Sequence, residues 1–131
     1  FVQGRQPPHA AGLFPEPLML RFSANLSFLY QEFRFEDRFA QAAKDGFKAV
    51  EFMSPYGMPK KTVSRLLTDN GLEQALFNLP AGDWDKGERG IASHPDRIDE
   101  FREGLKLAAD YAHALGCRQV NCLAGLLPVG V

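Results

Sequence analysis

The 131 residues contain only two cysteines, three histidines and one tryptophan, and each scarcity narrows the chemistry available. Cys117 and Cys122 stand in an apolar, alternating segment, without CxxC spacing and without a histidine nearby. They are predicted to be buried free thiols in a reducing, cytoplasmic setting. His9, His94 and His113 are scattered, so no pair has the spacing of metal ligands. No apolar run approaches the roughly 20 residues that a membrane-spanning helix needs. Charge of one sign is also lacking. Fifteen basic against 16 acidic residues give a net charge of -1, which excludes a broad basic face for nucleic acid or anionic membrane. Glycine-rich phosphate loops are missing as well: the first strand-like run is followed by NLSFLY rather than GxGxxG, and no GxxxxGK[ST] occurs. A small neutral or acidic ligand is the partner these exclusions favour.

What the chain does have is alternation. Residues 1–18 hold four of the nine prolines and show no periodicity, so they are predicted to be an unstructured leader before a domain spanning 19–131. From Met19 onward, short apolar runs at Leu20–Asn25, Ala49–Met53, Gln74–Asn78 and Gln119–Leu123 read as strands. Helices are predicted between them. Phe35, Phe39, Ala42 and Ala43 recur at helical spacing before Gly46, and Val63, Leu66 and Leu67 do so before Asn70 and Gly71. The third helix carries a stripe of Ile98, Phe101, Leu105, Ala108, Ala109, Ala112 and Leu115. Ser93, Pro95 and Asp96 mark its start and Gly116 its stop. The order βαβαβαβ implies parallel strands with right-handed crossovers.

Periodicity leaves an open α/β sheet and the first half of an eight-stranded barrel both standing. Two features bear on the site. A polar residue lies at or near the C-terminal end of each strand: Asn25, Glu51, Asn78 and Asn121. That is the end at which barrel enzymes assemble their active sites. The second feature is the polar stretch of Leu76–Pro95, LFNLPAGDWDKGERGIASHP, where Gly82, Gly87 and Gly90 allow tight turns among Asp83, Asp85, Glu88 and Arg89.

The segments MLRFSANLSFLY, KAVEFMSPY, LFNLPAGDWDKGERGIASHPDR, EFREGL and YAHALGCRQVNCLAG closely resemble, in order and spacing, the amino-terminal half of the hydroxypyruvate isomerase family of xylose-isomerase-like TIM barrels. The resemblance runs from about Met19 to Gly130. It implies an α/β fold, namely the first half (about four β/α units) of a TIM (β/α)8 barrel. It also implies a 2-keto acid substrate, interconverted with its aldehyde isomer by moving a proton between adjacent carbons through an enediolate. A divalent metal, Mg or Mn, is implied too. The family draws that metal and its two catalytic glutamates from strands five to eight, beyond the four strands seen here, so no residue of this chain takes a metal-ligand or catalytic-base role. The chain alone is accordingly expected to be inactive. Related 2-oxo-tetronate isomerases share the SANLS-like and PAGD-like segments but tend to carry a different residue at the position of Arg89, so the complete GDWDKGERG tilts modestly towards hydroxypyruvate. An endonuclease of the same superfamily would need histidine clusters and a basic groove, and the chain shows neither.

Substrate contact is therefore the role assigned to Asn25, Glu51, Asn78, Asp83, Glu88, Arg89 and Asn121. Arg89 presents paired donors to a planar carboxylate, or else pairs with an acid that fixes the loop; both readings stand. The three asparagines suit hydroxyl and carbonyl recognition, or else satisfy backbone at strand ends. An acid in the run AVEFM is seldom unpaired, so Glu51 is predicted to hold a neighbouring polar group rather than transfer a proton. Tyr56 and Trp84 either close a pocket or pack the loops. Unpaired backbone along an open sheet edge favours association with a second copy.

Overall fold

The computed structural model describes residues 20–127. Both the leader predicted for 1–18 and Met19 lie outside that range. Four parallel strands form one sheet in the order β1 (Ser23–Asn25), β2 (Ala49–Glu51), β3 (Glu73–Asn78) and β4 (Val120–Asn121). Helices α1 (Arg38–Lys44), α2 (Lys60–Asp69) and α3 (Ile98–Leu115) provide the crossovers. This is the arrangement of consecutive β/α units in a barrel, where neighbours in sequence are neighbours in the sheet.

The core lies between the sheet and the helices. Ala24, Leu26, Val50, Phe52, Phe77 and Leu79 meet Phe39, Ala42, Val63, Leu67, Ala108, Tyr111 and Leu115. Phe35, Phe39 and Phe52 contact one another edge to face, with centroids 5.2–5.9 Å apart. That geometry sets the electropositive ring edge against the electron-rich face. The opposite face of the sheet, which carries Asn25, Glu51 and Asn78, is half-buried.

Several sequence expectations are corrected. Only β3 reaches its predicted length; β1, β2 and β4 are two or three residues long, since ladder pairing begins only at Ser23 in β1, ends at Glu51 in β2 and covers only Val120–Asn121 in β4. Ser93 does not cap α3. Its hydroxyl donates to the Leu126 carbonyl at 3.2 Å, and a 3₁₀ turn over Pro95–Arg97 precedes the helix. The buried stripe of α3 is rotated from the predicted one. Tyr111 is buried, whereas Ile98, Leu105 and Ala109 are exposed, because the helix also packs on α2, and the Tyr111 hydroxyl reaches the Met58 carbonyl at 2.7 Å. Cys117 is a buried free thiol as expected, but Cys122 is free and exposed, since it follows the last residue of the edge strand.

Candidate functional site

The ends of β1 and β2 are tied by side chains as well as by the ladder. The Asn25 side chain accepts from the Ser27 N–H at 3.0 Å, a local turn that frees its Nδ2 to donate to Glu51 Oε1 at 3.0 Å. Ser27 Oγ in turn accepts from the Met53 N–H at 2.9 Å. Glu51 thus holds a neighbouring polar group. On the other side, Asn121 Nδ2 donates to Asn78 Oδ1 at 3.0 Å, linking the ends of β3 and β4. The Asn78 carbonyl accepts from the Tyr56 hydroxyl at 2.8 Å. Burial, followed by the neighbouring Tyr111, pushes the Tyr56 phenol well above its ordinary range, so this hydroxyl remains a donor.

Asn25, Glu51 and Asn78 line one cavity of about 190 Å³ together with Phe28, Phe52, Met53 and Leu76. Asn121 joins it through Asn78. The arrangement is a small apolar cup with amides and one carboxylate at the C-terminal end of the strands. It suits a short, hydroxylated ligand whose oxygens need both donors and acceptors.

Asp83, Glu88 and Arg89 do not line this cup. Asp83 pairs with Lys86 at 2.8 Å and accepts from the Lys86 N–H. Glu88 accepts from the Asp83 N–H at 2.6 Å and from Arg97 Nη1 at 2.6 Å. Gly82 has no side chain where that carboxylate lies: a Cβ there would stand 2.0 Å from Glu88 Oε2. Arg89 stacks on the Trp84 ring at 3.7 Å from its centroid, and its Nη1 donates to the Trp84 and Glu88 carbonyls. Among the described residues Arg89 makes no acid pair. The acid partner that fixes the loop is Glu88, and its cation is Arg97.

Sequence reading missed Ser27, Arg97 and Gln74. The N-x-S spacing of Asn25 and Ser27 is a usable turn signal. Arg97 lies nine residues from Glu88 across an irregular loop, and no periodicity links them. Gln74 stands in an apolar run, where its burial could be anticipated but its partner could not.

The Glu88 and Arg97 pair makes the loop acid-sensitive. Hydrogen bonding to Arg97, then to the Asp83 amide, holds the Glu88 carboxyl below its ordinary range. A carboxyl depressed on folding contributes stability that is complete above its unfolded value and lost as pH falls through its folded value. Amide protection at Asp83, that is, exchange corrected for its intrinsic pH dependence, is therefore expected to fall on acidification below the ordinary carboxylate range, and that fall is expected to disappear in Glu88→Gln. An unchanged acid response in that variant would place the sensitivity elsewhere.

Among the described residues no three or more His, Cys, Asp or Glu side chains gather closely enough to hold a metal ion. No described helix is long and apolar enough to cross a membrane.

A model of xylose isomerase-like TIM barrels matches residues 39–129. The chain is 54% identical over 112 residues to hydroxypyruvate isomerase of Escherichia coli, covering 86% of this chain and 43% of that protein. It is 49% identical over 110 residues to 2-oxo-tetronate isomerase of Cupriavidus necator, covering 84% and 42%. A crystal structure titled AP endonuclease, family 2, from Brucella melitensis superposes with a TM-score of 0.81 at 45% identity, covering 82% of this chain and 42% of that one. The chain thus spans about two fifths of the length of these relatives.

Proposed function

The chain belongs to the xylose isomerase-like TIM barrel family, and on that premise we propose that residues 20–127 supply the substrate-holding part of a hydroxypyruvate isomerase site. The observation that carries the proposal is the cup of Asn25, Glu51 and Asn78, in a chain 54% identical to an enzyme of that name. In the reaction a proton leaves C3 of hydroxypyruvate, an enediolate forms, and a proton returns at C2 to give tartronate semialdehyde.

Asn78 and Asn121 contribute amide groups to the oxygens of this short 2-keto acid, while Glu51 orients the Asn25 amide beside them. Arg89 serves the substrate carboxylate from the loop. It lies outside the cup, stacked on Trp84 with Nη1 on two backbone carbonyls, and a planar guanidinium presents paired donors to a carboxylate. The magnesium or manganese implied by the resemblance draws on ligands other than those of the cup. A cytoplasmic setting suits two unpaired thiols.

Titration with hydroxypyruvate, followed by side-chain amide NMR, is expected to move the signals of Asn25, Asn78 and Asn121. Asn78→Ala is expected to weaken binding about tenfold, the equivalent of one hydrogen bond of about 1.4 kcal/mol. Shifts confined to other parts of the chain would overturn the assignment. Stronger binding of a 2-oxo-tetronate than of hydroxypyruvate would move it to the activity named for the Cupriavidus relative.

A further inference from the structure

Strand β3 changes phase in its middle. Ala49 and Val50 of β2 pair with Glu73 and Gln74 in turn, but Glu51 pairs with Leu76, so Ala75 is an extra residue without an opposite number. Burial follows the same break. Gln74, Phe77 and Leu79 are buried, whereas Ala75, Leu76 and Asn78 are half-buried. In an unbroken strand side chains alternate, and Asn78 would share the helix-facing side with Gln74. The bulge moves Asn78 to the face of Asn25 and Glu51, and it delivers Phe77 to the core.

Gln74 stands at the break. It is 5% exposed on a face otherwise made of apolar residues, and its Nε2 donates across Ala75 to the Leu76 carbonyl at 2.8 Å. Its Oε1 is buried and has no hydrogen-bond partner among the described residues. A buried amide left half-satisfied costs stability that an apolar residue of similar size would not. The bond it does make closes the bulge. The Leu76 carbonyl also receives a long contact, 3.4 Å from the Phe52 N–H.

We infer that Gln74 is a positioning residue: its amide holds the β3 bulge in place and so sets the phase that aims Asn78, with Asn121 attached, into the cup. The consequence for substrate rests on the proposed reading of Asn78; the strand geometry does not.

The test uses Gln74→Met, which keeps length and bulk but removes the donor, with the Asn78 and Asn121 side-chain amides as NMR reporters. Gln74→Met is expected to stay folded, to lose the through-space signal joining those two amides, and to bind hydroxypyruvate about tenfold more weakly. Gln74→Glu provides the rescue. Burial raises a carboxyl pKa, so in mild acid the protonated side chain donates the same bond and the joining signal returns, to be lost again as pH rises. Should Gln74→Met unfold, Gln74→Glu in mild acid decides the same question, and a missing signal there counts against the inference. Retention of the joining signal in folded Gln74→Met would overturn it. Loss of the signal with unchanged hydroxypyruvate affinity would uphold the role of Gln74 and remove Asn78 from substrate binding.

Discussion

Replacing Phe77 by alanine is expected to lower stability by about 3–5 kcal/mol, the usual cost of emptying a buried aromatic site. In a domain of this size that corresponds to a fall in Tm of roughly 15–30 °C, measured by circular dichroism. Phe77 is 1% exposed. It meets the edge of Tyr56, with centroids 6.1 Å apart, and Tyr56 in turn meets Tyr111 of α3 at 5.3 Å. Removing the ring takes support from the tyrosine whose hydroxyl holds the Asn78 carbonyl. Phe77→Leu keeps most of the volume and is expected to recover more than half of the loss. A drop of less than about 5 °C in Phe77→Ala would mean that β3 does not present this residue to the core, and the bulge assignment would fall with it.

A second large effect is expected at Gly90, where the loop after β3 crosses the segment after β4. Its φ is +113°, and a Cβ there would lie 2.0 Å from the Leu123 carbonyl oxygen and 2.4 Å from its carbon. Both neighbours are backbone, so no side chain can swing aside to make room. Gly90 also bridges Ala124, and Ser93 bonds the Ala124 carbonyl at 2.8 Å, so the clash falls on the seam between the two loops. Gly90→Ala is expected to cost about 3 kcal/mol, combining conformational strain with displaced main chain. Gly87→Ala provides the comparison. Its φ is +92° but nothing lies within 4 Å of the added carbon, so strain alone remains, about 1–2 kcal/mol. Equal losses in the two variants would show that the loops do not approach as closely as 2.0 Å implies. Faster amide exchange at Ser93 in Gly90→Ala, but not in Gly87→Ala, would locate the damage at the seam.

The elements most legible in the sequence were those with a clear period and a clear stop. Phe39 and Ala42 of α1, and Val63 and Leu67 of α2, are buried where helical spacing put them. The end of α3 at Gly116 was equally plain, since the cap N–H there bonds back to the Ala112 and His113 carbonyls. The α3 stripe is not legible in the sequence, because Leu105 and Ile98 are as apolar as the residues that become buried. Only packing against α2 selects Tyr111 over them. Ser93 and Asp96 looked like a helix start because local chemistry permits that use, but the hydroxyl found a carbonyl 33 residues away.

The candidate site divides along the same line. Its positions at the strand ends could be read directly, because a polar residue after a short apolar run is a local pattern. Which of them meet could not. Asn25 and Glu51 join across 26 residues, and Asn78 and Asn121 across 43.

Alternation of apolar runs, turn residues and helical spacing by themselves determined that this chain builds parallel β/α units with polar groups at one end of the sheet, because these signals act over a few neighbouring residues. Tertiary structure alone decided that Arg97 rather than Arg89 pairs with Glu88, that Trp84 lies under the Arg89 guanidinium, and that Asn78 faces the cup. The last depends on Ala75 having no partner across the sheet, a matter of register between two strands. Register is an energy shared by distant segments, so it exists only once they are packed together.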